Sequence, residues 1–151
     1  MKTIRLFLIA SFVVLMFSSC STTSMYYWGP VSFSDNTTGY EKSIYNYFKY
    51  QSPESICNMI ETYRDIMIEC EANEKMIPPG VCADFGYILL NPENATYFDE
   101  HATRSQKNLM EGIIFSEYGK ELLEKEIELY PESRQFIEPI IKRIANENKE
   151  D

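Results

Sequence analysis

Apolar residues recur at intervals of three and four along most of this chain, and no stretch alternates convincingly over six residues. That periodicity predicts an all-α fold. Over 40–50 a helix is expected, with Ile44, Tyr47 and Phe48 on one face. Ser52-Pro53 reads as a helix start, because serine can cap free amides and proline suits the first turn. Ile56, Ile60, Tyr63, Met67 and Cys70 continue the apolar stripe to about Ala72, and 73–77 is expected to turn. Pro78-Pro79 opens the next helix, whose buried side is Val81, Cys82, Phe85, Ile88 and Leu89, and which ends near Asn91-Pro92.

The second half is less regular. Residues 92–104 show no periodicity and are expected to form an irregular insertion. A long helix is expected from about Ser105, with Leu109, Ile113, Leu123, Ile127 and Tyr130 among its apolar positions. Gly112 and Gly119 weaken its continuity by about 1 kcal/mol each relative to alanine. Pro131 starts the last helix, which presents Phe136, Ile140, Ile141 and Ile144, with a kink or break expected at Pro139.

The first 19 residues follow a different pattern. Lys2 and Arg5 precede an apolar run over 4–17, and small Ser18 and Ser19 stand directly before Cys20. The run is shorter than the roughly 20 residues that span a bilayer easily. This leader resembles a bacterial lipoprotein signal, in which the chain is cut just before the cysteine and the thiol is acylated. Phe17 departs from the aliphatic residue usual three places before the acylated cysteine, whereas Ser21-Thr22-Thr23-Ser24 suits a tether. Each buried CH2 contributes about 0.8 kcal/mol, so one chain holds marginally and several hold firmly. The resemblance implies lipidation at Cys20 by more than one chain and permanent membrane residence. Ser21 in place of Asp, by resemblance to enteric lipoprotein sorting, implies the outer membrane, facing the periplasm. The expected organisation is a signal peptide over 1–19, a lipidated tether over 20–25, one helical domain over 26–147 and a frayed tail over 148–151.

Charge narrows the partners. The net charge of −9 becomes more negative once the two basic residues of the leader are removed. Such a surface repels phosphate backbones and anionic headgroups, which excludes nucleic acid as a partner and leaves membrane contact to the lipid. After Cys20, three cysteines remain. Cys57 and Cys70 share a helix and lie about 20 Å apart, too far to bridge. Cys70 and Cys82 flank a turn and either pair in an oxidising compartment or stay, with Cys57, as buried thiols. No zinc spacing is present.

Two blocks carry a family signature. Tyr27-Trp28-Gly29 precedes Tyr40-Glu41-Lys42-Ser43-Ile44-Tyr45-Asn46-Tyr47. Pro78-Pro79-Gly80-Val81-Cys82-Ala83-Asp84-Phe85-Gly86-Tyr87 precedes Glu126-Ile127-Glu128-Leu129-Tyr130-Pro131-Glu132-Ser133. Together they resemble a bacterial lipoprotein family known only by a domain-of-unknown-function label. That resemblance implies genomic neighbours, a lipoprotein like the curli secretion channel and another small lipoprotein. The second block is also similar to a tetratricopeptide hairpin, with Phe85-Gly86, Gly119, Leu123 and Pro131 in its positions. The glycine and the proline are 45 residues apart, against about 24 in a standard repeat. Either 92–116 is an insertion or the analogy fails locally.

Catalytic chemistry is hard to assemble. His101 is the only histidine, which offers neither a metal cluster nor a triad. Gly-x-Ser-x-Gly, P-loop and dinucleotide motifs are absent. Glu121, Glu124, Glu126 and Glu128, with Lys120 and Lys125 nearby, read as a solvated helix face. No enzyme and no cofactor are therefore expected. Nine aromatics crowd into 25–50: Tyr26, Tyr27, Trp28, Phe33, Tyr40, Tyr45, Tyr47, Phe48 and Tyr50. They are either core packing with tyrosine hydroxyls at the surface or a docking patch close to the membrane. Tyr27, Trp28, Tyr40, Tyr45 and Tyr47 are the candidate contact residues. The functional expectation is a non-enzymatic adaptor or accessory subunit of an envelope or secretion complex. The alternative is a small ligand- or glycan-binding lipoprotein using the aromatics for stacking.

Overall fold

The computed structural model describes residues 24–147. The expected leader, Cys20, the first part of the tether and the 148–151 tail lie outside the described residues. Among these residues the fold is all-α, with seven α-helices, one 3-10 turn and no strand.

The helices start where local chemistry supplies partners for their free amides. Helix α1 (Gly39–Tyr50) is capped by Thr38, whose hydroxyl accepts from the Glu41 amide while the Glu41 carboxylate accepts from the Thr38 amide. Helix α2 (Pro53–Ala72) begins with the same reciprocal arrangement between Ser52 and Ser55. Its inward side, including Ile56, Met59, Ile60, Tyr63, Ile66 and Met67, is buried and forms the spine of the main core. Each such large apolar side chain contributes about 1.5–3 kcal/mol when fully buried. The segment ahead of α1 is held down as well. The Tyr40 and Gly39 amides donate to the Trp28 and Pro30 carbonyls, and the Met76 amide donates to the Met25 carbonyl beyond α2.

Helix α3 (Val81–Leu90) starts after Gly80, whose φ of +87° is open to glycine and strained for other residues. Asn91 closes α3 and also caps α4 (Pro92–His101), accepting from the Glu93 amide at 3.0 Å. The irregular insertion expected over 92–104 is thus corrected to a helix and a short link. Asn-Pro here starts an element as well as ending one, as Ser52-Pro53 does. Apolar periodicity misses α4 because Asn94 occupies an inward position and donates to the Ile88 carbonyl at 2.9 Å.

Helix α5 (Arg104–Leu109) begins with a Thr103–Gln106 capping box. The single long helix expected from Ser105 is interrupted after Leu109. Gly112, at φ +76°, turns the chain before α6 (Phe115–Leu129). Pro131–Ser133 makes a 3-10 turn, and α7 (Arg134–Glu147) follows. The helix continues through Pro139 rather than breaking there. Pro139 and Gln135 are both exposed, so water can serve the carbonyl that the proline leaves without a donor.

Helices α3 and α6 pack against each other through two facing glycines. A Cβ added at Gly86 would lie 2.7 Å from the Gly119 carbonyl oxygen, and one at Gly119 would lie 2.9 Å from the Gly86 oxygen. Helices α4 and α5 fill the chain between these two partners. Leu123, Ile127 and Ile137 form a second buried cluster, which Ile140, Ile141 and Ile144 of α7 cover.

Candidate functional site

The aromatic segment splits into two populations. Trp28 lies 4.9 Å from Tyr40 between ring centres, and Tyr40 meets Tyr63 edge-on at 5.8 Å. Tyr63 stacks on Phe85 at 5.4 Å, and Phe85 meets Tyr118 at 5.9 Å. This ladder joins the N-terminal segment to α1, α2, α3 and α6. It ends on Arg64, whose Nη1 donates to the Tyr118 hydroxyl at 3.1 Å. Tyr27 and Tyr47 are also half-buried against the core, and Lys75 lies 5.6 Å from the Tyr27 ring centre.

Four of the five candidate contact residues (Tyr27, Trp28, Tyr40 and Tyr47) are therefore engaged in packing, and Tyr45 alone is exposed. The free aromatic surface lies elsewhere. Phe33 projects fully from a turn, at 108% relative exposure, and Phe48, Tyr50, Tyr87 and Phe136 are exposed too. Lys49 lies over the Tyr45 and Tyr50 rings at 5.2 and 4.9 Å.

Phe48 and Tyr87 flank an open groove of about 200 Å³ between α1, α2 and α3. Tyr47 adds to its wall, Met59 and Tyr63 form its floor, and Asp84 brings a carboxylate to it. The Asp84 Oδ2 accepts from the Tyr63 and Tyr40 hydroxyls at 3.4 and 3.5 Å. Asp84 is exposed as a residue, but its carboxyl sits among these rings. Desolvation raises its pKa, with the two hydroxyl contacts pulling the other way. Burial, and then the Asp84 charge, pushes the Tyr63 phenol up as well. The signal for this groove was present in the sequence: Asp84 is the one charge in an otherwise apolar helix, and Tyr87 follows on the same face three residues later.

A second, polar groove of about 330 Å³ lies between α1 and α2. Its groups already serve one another. Ser43 and Thr62 hydroxyls share a hydrogen bond of 2.6 Å, while Asn58 and Glu61 accept from the buried Gln106 amide at 3.0 and 2.9 Å.

The glutamate face of α6 needs correction. Glu121, Glu124 and Glu128 are exposed, but Glu126 is 2% exposed and accepts from the Gly80 amide at 2.7 Å. It supplies the cap that Gly80 lacks, at the helix end where negative charge is favoured. One turn on, Tyr130 donates its hydroxyl to the Ile77 carbonyl at 2.5 Å. The Pro-Pro-Gly block and the Glu-to-Tyr-Pro block thus meet in space as a structural clamp. His101 is exposed, 3.8 Å from Glu100.

The possible Cys70–Cys82 bridge is not formed. Cys57, Cys70 and Cys82 are buried free thiols. Cys70 points its sulfur to the Met76 carbonyl at 3.5 Å, and Cys82 lies 3.9 Å from the Met67 sulfur. Among the described residues, no group of three or more His, Cys, Asp and Glu is arranged to hold a metal, and no helix is long and apolar enough to cross a membrane. No protein-family model, curated protein or solved structure matches the chain significantly.

Proposed function

We propose that this chain is a bacterial envelope lipoprotein, anchored through Cys20, that acts as a non-enzymatic adaptor or accessory subunit of an envelope or secretion complex. The leader pattern supports the anchor. The observation that carries the adaptor role is the exposure of Phe33, Tyr45, Phe48 and Tyr50, all within a short stretch after the tether. Large aromatics in water are costly to leave uncovered and are enriched where partners bind. An anchor at Cys20, 13 residues before Phe33 and 30 before Tyr50, would keep this surface within reach of the bilayer, where another lipoprotein would also sit. The family resemblance points to a curli-channel-like lipoprotein as that partner. The close-packed α3–α6 pair would serve as the tetratricopeptide-like scaffold behind it.

Cross-linking in intact cells, followed by purification in mild detergent, tests the reading. A lipoprotein partner should be captured, and a combined Phe33→Ala and Tyr45→Ala variant should capture less of it. Recovery of the bait alone under conditions that cross-link known envelope complexes would count against the adaptor role.

A second reading, a ligand-binding lipoprotein, is favoured by one observation: the aromatic groove that contains Asp84.

A further inference from the structure

The groove between α1, α2 and α3 combines two features that are individually common and jointly selective. Its walls and floor are aromatic and apolar side chains, among them Tyr47, Phe48, Met59, Tyr63 and Tyr87. Its single acidic group, Asp84, has two tyrosine hydroxyls as partners and no cationic one among the described residues. Leaving a carboxylate beside aromatic rings without a counter-charge is unfavourable, and a cation at that place would relieve it while meeting the negative faces of the rings. The protein as a whole is acidic, with a net charge of −9, and so attracts cations towards the opening.

The kind of cation follows from hydrogen bonding. A primary ammonium brings three donors, each needing an acceptor once it leaves water. Beside the Asp84 carboxylate the lining brings the hydroxyls of Tyr47, Tyr63 and Tyr87, that of Tyr63 already engaged with Asp84, and otherwise aromatic and aliphatic side chains. A quaternary ammonium head has no N–H donor and so no such requirement, spreads its charge over methyl groups and suits an aromatic lining. The volume of about 200 Å³ is small beside the roughly 300–1,000 Å³ of ordinary ligand pockets. It suits a head group rather than a large ligand.

We infer that this groove binds a small organic cation with a quaternary ammonium head, seated between Phe48 and Tyr87 with its charge facing Asp84. The inference rests on the ligand-binding reading and not on the adaptor role, although Phe48 belongs to both surfaces. Phe48 and Tyr87 flank the entrance, and Asp84 supplies the preference for charge.

Calorimetric titration of the full lipidated protein in a maltoside detergent, which has no ammonium head to compete, provides the test. Choline is the probe, and 3,3-dimethylbutan-1-ol is its uncharged isostere. Choline should bind saturably, with the isostere weaker by about tenfold or more. Asp84→Asn, which keeps the side-chain shape, and Tyr87→Ala should each weaken choline by a similar factor, whereas Phe136→Ala, on α7, should leave it unchanged. Thermal melts establish that each variant is folded. Phosphocholine distinguishes sources: weaker binding than choline supports a free solute, and equal binding supports the same head presented by a lipid. Equal affinity for choline and the neutral isostere, or no effect of Asp84→Asn, overturns the cation assignment while leaving ligand binding standing. No saturable binding of either probe by folded protein overturns both at this groove.

Discussion

Glu126 reaches across 46 residues of sequence to accept the backbone amide of Gly80 at 2.7 Å, so that α6 caps the start of α3. Its other oxygen, Oε2, is buried without a hydrogen-bond partner. Desolvation raises the carboxyl pKa, and the amides of Gly80, Ala83 and Cys82 pull it partly back. The folded state thus holds this proton more tightly than the unfolded chain does.

A specific pH dependence results. Stability associated with Glu126 is fully present below the unfolded carboxyl pKa of about 4.3 and is lost as pH rises through the folded value. Glu126→Gln keeps an acceptor for Gly80 and removes the ionisation. It should flatten the fall in stability across that interval and leave the protein at least as stable near neutrality. Asp65 and Asp84 are shifted in the same direction, so part of the slope should remain. Glu126→Ala removes the cap and should cost about 1–2 kcal/mol. Denaturant melts of the three proteins between pH 4 and 8 would show this, and an unchanged slope in Glu126→Gln would refute it.

The Gly86–Gly119 contact makes a separate prediction. A methyl group on either helix meets backbone or the Leu90 side chain at under 3.0 Å. Relief requires α3 and α6 to separate. Gly86→Ala and Gly119→Ala should each destabilise by about 1–3 kcal/mol despite alanine's better helix propensity. Thermal midpoints equal to or above that of the wild type would show that the helices have room.

Much of the fold was legible because its causes are local. The Ser52-Pro53 start and the apolar stripe from Ile56 to Cys70 predict α2 almost residue for residue. The failures came where a polar residue does an apolar residue's work or where one residue acts twice. Asn94 and Gln106 are buried, and their side chains are satisfied by partners distant in sequence or in a neighbouring helix, so α4 and α5 lack a clean stripe. Glu126 looked solvated because its neighbours Glu124 and Glu128 are, and its amide partners lie more than forty residues upstream. At the candidate site, composition located the aromatic segment. It could not separate Trp28, which is covered by Tyr40, from Phe33, which nothing covers, because that distinction is made by tertiary contact.

Tyr130 and Ile77 form the other half of the clamp. The Tyr130 hydroxyl donates to the Ile77 carbonyl at 2.5 Å in a buried setting. Tyr130→Phe keeps the ring and leaves that carbonyl without this donor, so a loss of about 1–2 kcal/mol is expected. A double-mutant cycle with Glu126→Gln should show coupling, since both side chains fix the 77–80 link. Strict additivity would indicate that the two contacts act independently.

The three buried thiols predict slow chemistry in the native state. Burial raises the pKa of Cys57 and Cys70 and pushes that of Cys82 up to about 12. The thiolate is the reactive form, so an aqueous disulfide reagent should label all three far more slowly in folded than in denatured protein. Peptide mapping without reduction should recover Cys70 and Cys82 unlinked. A linked Cys70–Cys82 peptide from protein prepared in an oxidising compartment would overturn this assignment.

Stability and partner capture should separate the two aromatic populations. Trp28 packs on Tyr40, which continues through Tyr63 into the core, so Trp28→Ala should cost about 2 kcal/mol or more. Phe33 makes no comparable contact at 108% relative exposure, and Phe33→Ala should lie within about 0.5 kcal/mol of wild type. Capture of an envelope partner should show the opposite pattern once folding is accounted for. Phe33→Ala, fully folded, should lose partner, whereas a stabilised background carrying Trp28→Phe should retain it. Partner loss confined to Trp28 variants would return the docking role to the buried ladder, and loss in neither would remove this segment from the interface.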